Sequence, residues 1–284
     1  MATRDDQATL VEAHSPPDYD GQLGNGNDVP TILEIDDGEE RCPYCGDWYK
    51  QITTHWTCSS CQYPPVSAYK MELLKGMMLG DGHMDLSYGN FRCGMTNKTF
   101  LEWLTTELGW LTSDVRKQCT AVESAKEVRE GLGSDTFAED CVDLYKIRSR
   151  PQPQLQWFTE WYSTGEIVFP TNIELTPTSL AMWYVSDGSI KWGDCDNAKI
   201  QFTSSNESER PQAIMAMLEG CGFTVTHGDT ANHFYIPHRE IDDFFAYIGH
   251  PVEGFAYKWE YEDRERYDEL KTQMREQHCT QTLS

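Results

Sequence analysis

This 284-residue chain has little positive charge: 23 lysines and arginines stand against 46 aspartates and glutamates, a formal net charge of −23. So small a basic complement argues against binding any polyanion by bulk attraction, because phosphate contacts draw on Lys and Arg. The deficit is uneven, however. From Met1 to Glu40 eleven acidic residues face Arg4 alone. This leader is punctuated by Gly, Asn and Pro, lacks apolar periodicity, and is expected to be disordered. Over the remainder the acidity is spread out, as in proteins of salt-loving organisms, where dense salt screens repulsion between like charges. The alternative is an acidic mesophilic protein with a partner-mimicking tail. Apolar runs long enough to cross a bilayer are lacking, and Met1–Asp6 lacks the basic-then-apolar start of a secretory signal. A cytoplasmic protein with no membrane partner is therefore expected.

Without a secretory signal, the ten cysteines read as metal ligands and buried thiols rather than disulfides. Four form two knuckles, Cys42-Pro43-Tyr44-Cys45 and Cys58-Ser59-Ser60-Cys61. The spacing matches a tetrahedral four-cysteine zinc ribbon over 41–66, with two thiolates from each turn. So short a segment has no core of its own, and metal would fold it. His55 is a possible substitute ligand; its other reading is a surface residue. Tyr63-Pro64-Pro65 is a stiff spacer before Ser67, a suitable N-cap.

One phrase then occurs twice: Leu74-Lys75-Gly76-Met77-Met78-Leu79-Gly80-Asp81-Gly82 and Leu180-Ala181-Met182-Trp183-Tyr184-Val185-Ser186-Asp187-Gly188. Each is an apolar helical run ending in one acid and a glycine. A carboxylate at a helix C-terminus sits beside unpaired carbonyls and the negative end of the dipole, which is poor for stability and good for a divalent cation. Thr176-Pro177 starts the second helix, and the small residues Gly76, Gly80, Ala181 and Ser186 permit close helix approach. The surroundings repeat as well. Phe91–Asn97 and Ile200–Asn206 alternate like strands and lead to helices near Phe100–Leu108 and Ala213–Cys221. Strands with Tyr145–Arg148 and Phe234–Pro237 follow, then aromatic helices at Leu155–Tyr162 and Ile241–Ile248. Two units of about a hundred residues, 67–166 and 167–259, predict pseudo-two-fold symmetry, with a charged helix or tail over 260–284.

On these motifs the chain resembles the two-motif LAGLIDADG homing endonucleases, most clearly at LKGMMLGDG, TPTSLAMWYVSDG and the closing FYIP and FAYKW segments. The resemblance implies an α+β fold: a pseudo-dimer, in one monomer, of αββαββα units whose motif helices form the interface under two antiparallel saddle sheets. It also implies site-specific cleavage of double-stranded DNA, with Asp81 and Asp187 as the catalytic acids. Mg²⁺ between them would activate water and neutralise phosphorane charge with few protein ligands, helped by the carbonyls of Gly80 and Ser186. Arg92 and Gln201 stand at equivalent places where the family keeps a polar residue that places water. Lys258 resembles a family lysine that stabilises transition-state charge, and 167–170 in the first half carries none. His83 is a turn residue first and a general base second. The outward strand face is expected to present Ser87, Tyr88, Asn90, Arg92, Lys146, Arg148, Lys191, Lys199, Gln201 and Thr203 to DNA. Beside the active nuclease, nucleoid-associated and involved in intron mobility, stands a non-cleaving DNA- or RNA-binding regulator, or a maturase acting on intron RNA. Neither terminus carries a splicing signature of an intein.

Overall fold

The computed structural model describes residues 33–281 except 43, 59–60, 62, 124, 127–141, 164, 172, 194–196, 205–209 and 229–231, and within 276–281 only the backbone. Among the described residues no helix is long and apolar enough to cross a membrane.

The end of the acidic leader is ordered, contrary to expectation. Strand β1 (Ile35–Asp36) turns back into β2 (Glu39–Arg41) through Asp37-Gly38, both at positive φ. Asp-Gly is the dipeptide that a two-residue hairpin of this hand requires. The hairpin extends to β3 (Trp48–Tyr49), and helix α1 (Ile52–Cys58) follows. Most of the leader, up to residue 32, lies outside the described residues.

The first repeat begins with α2 (Ala68–Met78), capped by Ser67, whose hydroxyl accepts from the Lys70 amide. Next come β4 (Gly82–Asp85), β5 (Asn90–Met95), α3 (Lys98–Leu108), β6 (Arg116–Cys119) and β7 (Leu144–Arg148). The second repeat runs α4 (Pro177–Asp187), β10 (Gly188–Trp192), β11 (Ala198–Thr203), α5 (Pro211–Gly220), β12 (Thr226–His227), β13 (His233–Ile236) and α6 (Ile241–Ile248). Between them lies the short hairpin β8 (Tyr162–Ser163) and β9 (Glu166–Ile167). Both large sheets are antiparallel with the same strand order, β4-β5-β7-β6 and β10-β11-β13-β12. The duplication expected from the sequence is the architecture of the chain.

One element breaks the symmetry. Where the second repeat closes on the α-helix α6, the first closes on a 3₁₀ helix, Pro153–Trp161, in place of the expected α-helix. Its buried side chains are Leu155, Phe158 and Trp161. That three-residue spacing stacks in a single line at three residues per turn and would spread over a broader stripe at 3.6.

Helices α2 and α4 pack along each other more extensively than any other two helices. Helix α4 is apolar along most of its length and α2 is exposed only at Ala68, as befits helices enclosed between layers. A Cβ on Gly76 would lie 2.2 Å from the Ser179 carbonyl oxygen and 2.5 Å from Met182 Cβ, so glycine sets the approach. Helix α4 starts with a capping box in which Thr176 and Ser179 satisfy each other's backbone amides. Thr176 also donates its hydroxyl to Glu72 of α2, and Lys75 donates to the Glu174 carbonyl. The closing segment joins both repeats: Asn97 caps α3 and donates to the Gly254 carbonyl at 2.7 Å, while Phe255 meets Phe100 edge-on. The final helix, α7 (Arg264–Gln281), lays Tyr267 against Trp192 and Tyr257.

Candidate functional site

The paired helices end together. Helix α2 stops at Leu79, whose amide reaches the Lys75 carbonyl, and Gly80 turns the chain so that Asp81 follows at the tip. Helix α4 runs through Asp187 before Gly188 leaves it. A Cβ on Gly80 would meet Ser186 Cβ at 2.3 Å and Asp187 Cγ at 3.5 Å. The two small residues before the acids thus touch, and the carboxylates are neighbours. Their electrostatics agree. The Asp187 carboxyl is pushed up to about 7, first by burial and then by the Asp81 charge, with Lys258 pulling the other way. Asp81 is raised by burial and lowered by Lys258. Asp81 keeps solvent access even though protein atoms crowd its carboxyl, an arrangement open to a ligand from outside.

Lys258 differs from its expected role. It is buried, and its ammonium donates to three carbonyls at the end of α4: Val185 and Gly188 at 2.7 Å and Tyr184 at 3.2 Å. The Tyr184 hydroxyl returns a bond to the Lys258 carbonyl at 2.7 Å. An ammonium has three protons, and all three are committed to the helix terminus. Lys258 is therefore a C-terminal clamp beside the acids rather than a group reaching for substrate. Burial lowers its pKa to about 7 against the pull of both aspartates.

Cross-strand register supports the pairing of Arg92 with Gln201. Arg92 stands opposite His83 and Arg148 in the first sheet; Gln201 stands opposite Ser189 and Tyr235 in the second. Since His83 and Ser189 each lie two residues past the motif Asp, the two rows are equivalent. Along β11, Lys199, Gln201 and Thr203 alternate with buried Ala198, Ile200 and Phe202, and along β7, Lys146 and Arg148 alternate with Tyr145 and Ile147. Lys191 pairs with Lys199, whose ammonium lies 3.7 Å from the Tyr235 ring centre. Arg148 lies over the exposed Tyr88 ring. Ser87 and its neighbour Tyr88 are exposed in the β4–β5 turn.

Asn90 corrects the expected surface. It is fully buried at the start of β5, where its amide oxygen can accept from the Arg148 guanidinium, so it orients an arginine and cannot itself read a ligand. Arg92 is partly committed as well, through an ion pair with Asp85. Burial and then the Arg92 charge lower the pKa of His83, against the pull of Asp85. A groove of about 810 Å³ opens beside Asp81, lined by His83, Arg92, Lys146 and Arg148 and also by Arg116 and Gln118 of β6. Sequence reading missed these last two. Their signal was the run Arg116-Lys117-Gln118, in which alternate residues share a face.

The LAGLIDADG DNA endonuclease family model matches residues 71–244. The chain belongs to that family. Among solved structures, the homing endonuclease I-WcaI bound to its DNA recognition sequence is similar in fold, with 15% identity and a TM-score of 0.55 over 74% of this chain and 92% of that one. The N-terminal LAGLIDADG domain of DUF199/WhiA is similar at 13% identity and a TM-score of 0.39, over 66% and 85%. No curated protein matches the chain.

Outside the LAGLIDADG match, the structure revises the expected four-cysteine site. One ligand atom each from Cys42, Cys45, His55 and Cys61 lie within 4.8 Å of one another. Cys58 is not among them: it ends α1 and is exposed, lining a shallow depression with Tyr49, Gln51 and Thr54. One turn earlier on the same helix, His55 points its Nε2 to within 3.5 Å of Cys45 Sγ. The residue read as a substitute holds the fourth place.

Proposed function

We propose that this protein is a site-specific, Mg²⁺-dependent endonuclease for double-stranded DNA, of the homing-endonuclease type, working as a pseudo-dimeric monomer. The observation that carries the reading is the meeting of Asp81 and Asp187 at the ends of the two packed motif helices. Each lies under a sheet whose outward positions are polar or basic.

The residues at this point suit a hard cation. The Asp81 charge raises the proton affinity of the Asp187 carboxyl, and a divalent ion relieves that repulsion. Asp81 and Asp187 would hold it, with the carbonyls of Gly80 and Ser186 as further oxygen donors. Mg²⁺ supplies charge neutralisation and a more acidic water when bound.

The chain's own residues supply binding and orientation. Lys146, Arg148 and Arg116 meet phosphates and base edges on one side of the saddle; Lys191 and Lys199 do so on the other. Arg92 and Gln201, the strand residues in register just beyond each acid, orient phosphate and water. Lys258 fixes the end of α4 and adds a positive charge beside both acids without touching DNA. The acidic surface directs attraction to these rows and away from the rest of the molecule.

The test is cleavage of a randomised-site plasmid library with and without Mg²⁺, in low salt and in concentrated KCl, by wild type, Asp81→Asn and Asp187→Asn. Mg²⁺-dependent linear product from wild type, lost in both variants with binding retained, supports the reading. Sequence-selective binding with no cutting under any divalent ion overturns it in favour of a non-cleaving regulator or maturase.

A further inference from the structure

The cysteine knuckles have no part in the nuclease reading and stand independently of it. We propose that Cys42, Cys45, His55 and Cys61 bind one structural Zn²⁺, and that this ion pins the N-terminal module against the entry of the first motif helix.

The donor set is three thiols and one imidazole, a borderline-soft combination typical of closed tetrahedral zinc. With ligands at about 2.0–2.3 Å in a tetrahedron, neighbouring donor atoms fall roughly 3.3–3.8 Å apart. The cluster, within 4.8 Å, needs only small contraction. Its backbone is already shaped. The Cys42 amide bonds the Asp47 carbonyl and the Gly46 amide bonds the Cys42 carbonyl, both at 2.9 Å, closing the first knuckle. The His55 ring stacks on Tyr49 at 3.8 Å, and the Tyr49 hydroxyl lies 3.5 Å from Cys45 Sγ. That fixes the imidazole and offers a donor to a thiolate, the usual work of a second layer around a metal.

The module needs such an ion. Its strands are two, three and two residues long and its helix seven, too short to hold themselves. Metal binding is then folding energy. The ordered module is also joined to the first repeat. Trp56 meets Trp110 edge-on at 5.6 Å, and Glu40 pairs with Arg150, two residues beyond Arg148. Gln152 donates to the Pro64 carbonyl and Gln154 accepts from the Val66 amide, each at 2.7 Å. Five residues separate Cys61 from Ser67, the cap of α2. Order imposed at the ion is thereby passed to the helix that carries Asp81.

The experiment uses the full chain purified without added chelator. Elemental analysis should give about one zinc per chain. Cys42→Ser and His55→Ala should lose it, while Cys58→Ser keeps it. In wild type, stripping zinc should speed amide exchange in 63–72 and 149–155 and leave α5 and α6 protected. Should the ligand variants fail to fold, Co²⁺ titration of the stripped wild type reads the donors directly, through thiolate charge-transfer and tetrahedral d–d bands. A wild type without metal, a disulfide among these cysteines, or zinc that survives His55→Ala but not Cys58→Ser each overturns the assignment. Exchange unchanged on stripping overturns the coupling to α2.

Discussion

The two sheets share strand order and the register of their first three strands, yet their outward rows differ in kind. In the first, His83, Arg92 and Arg148 stand in one row, and Lys146 and Arg116 face each other in the next. In the second, the equivalent row reads Ser189, Gln201, Tyr235 and Thr226, and the cations are Lys191 and Lys199. Guanidinium forks grip phosphate and guanine edges with fixed geometry, whereas amides, hydroxyls and lone ammonium groups do so more loosely. What has been kept equal between the repeats is the buried geometry that brings the acids together. What has diverged is the surface. On the proposed reading such a molecule suits a target whose halves differ, held firmly on one side and read more lightly on the other.

The largest effect should fall where the halves are most alike. On the proposed reading Asp81→Asn and Asp187→Asn each remove one of the two charges that would hold the cation, and each should cut the cleavage rate by roughly 10²–10³-fold or more. Single-turnover assays on duplexes labelled on either strand check this, and equal loss on both strands from either variant is expected. Loss confined to one strand would break the shared-site picture and give each acid its own reaction.

Next comes the Lys258 clamp of the second half. Lys258→Met leaves three carbonyls at the end of α4 without their donor, a cost of about 2–4 kcal/mol in chemical denaturation at neutral pH. Gly76→Ala, which drives a methyl into the Ser179 carbonyl, should cost about 1–3 kcal/mol. Gly220→Ala, in open space, serves as its control. If Lys258→Met keeps full stability and loses only cleavage, the residue acts on the transition state and the clamp is secondary.

How far the sequence could be read follows the same division. Caps at Ser67 and Thr176, period-two strands and small residues before each Asp are local signals, and local physics carries them into the fold. Selection among near neighbours is not local. His55 and Cys58 lie one turn apart on α1, and only the packed module decides which faces the thiols. Asn90 looks like a reader of bases and is buried under Arg148; Lys258 looks catalytic and is saturated by carbonyls, which leave no mark in a sequence. The 3₁₀ helix at Pro153 was hidden because aromatic spacing over nine residues fits three or 3.6 per turn.

The third test concerns the charge between the halves. Without metal the Asp187 carboxyl holds its proton to about pH 7, faced by Asp81 and Lys258. A cation must displace that proton, so affinity for Mg²⁺, measured by calorimetry without DNA, should rise about tenfold per pH unit below 7 and level off above it. Asp81→Asn removes the neighbour that raises Asp187, and its weaker binding should level off at lower pH. Lys258→Met removes a charge that lowers it, and should shift the bend upward. A pH-independent affinity would mean that Asp187 is not held protonated, and an unmoved bend in Asp81→Asn that the acids do not interact.

The smallest effect separates the two surfaces. Arg148 sits above Tyr88 and Asn90 on the outward face of β7, while Tyr235 occupies the matching place in the second sheet. Each phosphate contact contributes about 0.9 to the slope of log K against log salt. Arg148→Ala should therefore lower that slope by about 1 and weaken binding to all sequences alike, whereas Tyr235→Phe should leave the slope unchanged. Lys199 is the informative intermediate. Its ammonium rests on the Tyr235 ring, so if it leaves the ring to meet DNA, Lys199→Gln should lower the slope as Arg148→Ala does. If it stays on the ring, the slope will not move, and the second sheet contributes shape and hydrogen bonds in place of charge. Equal slopes for all three variants would erase the distinction between the halves, and the divergence of their surfaces would have to be explained by something other than DNA.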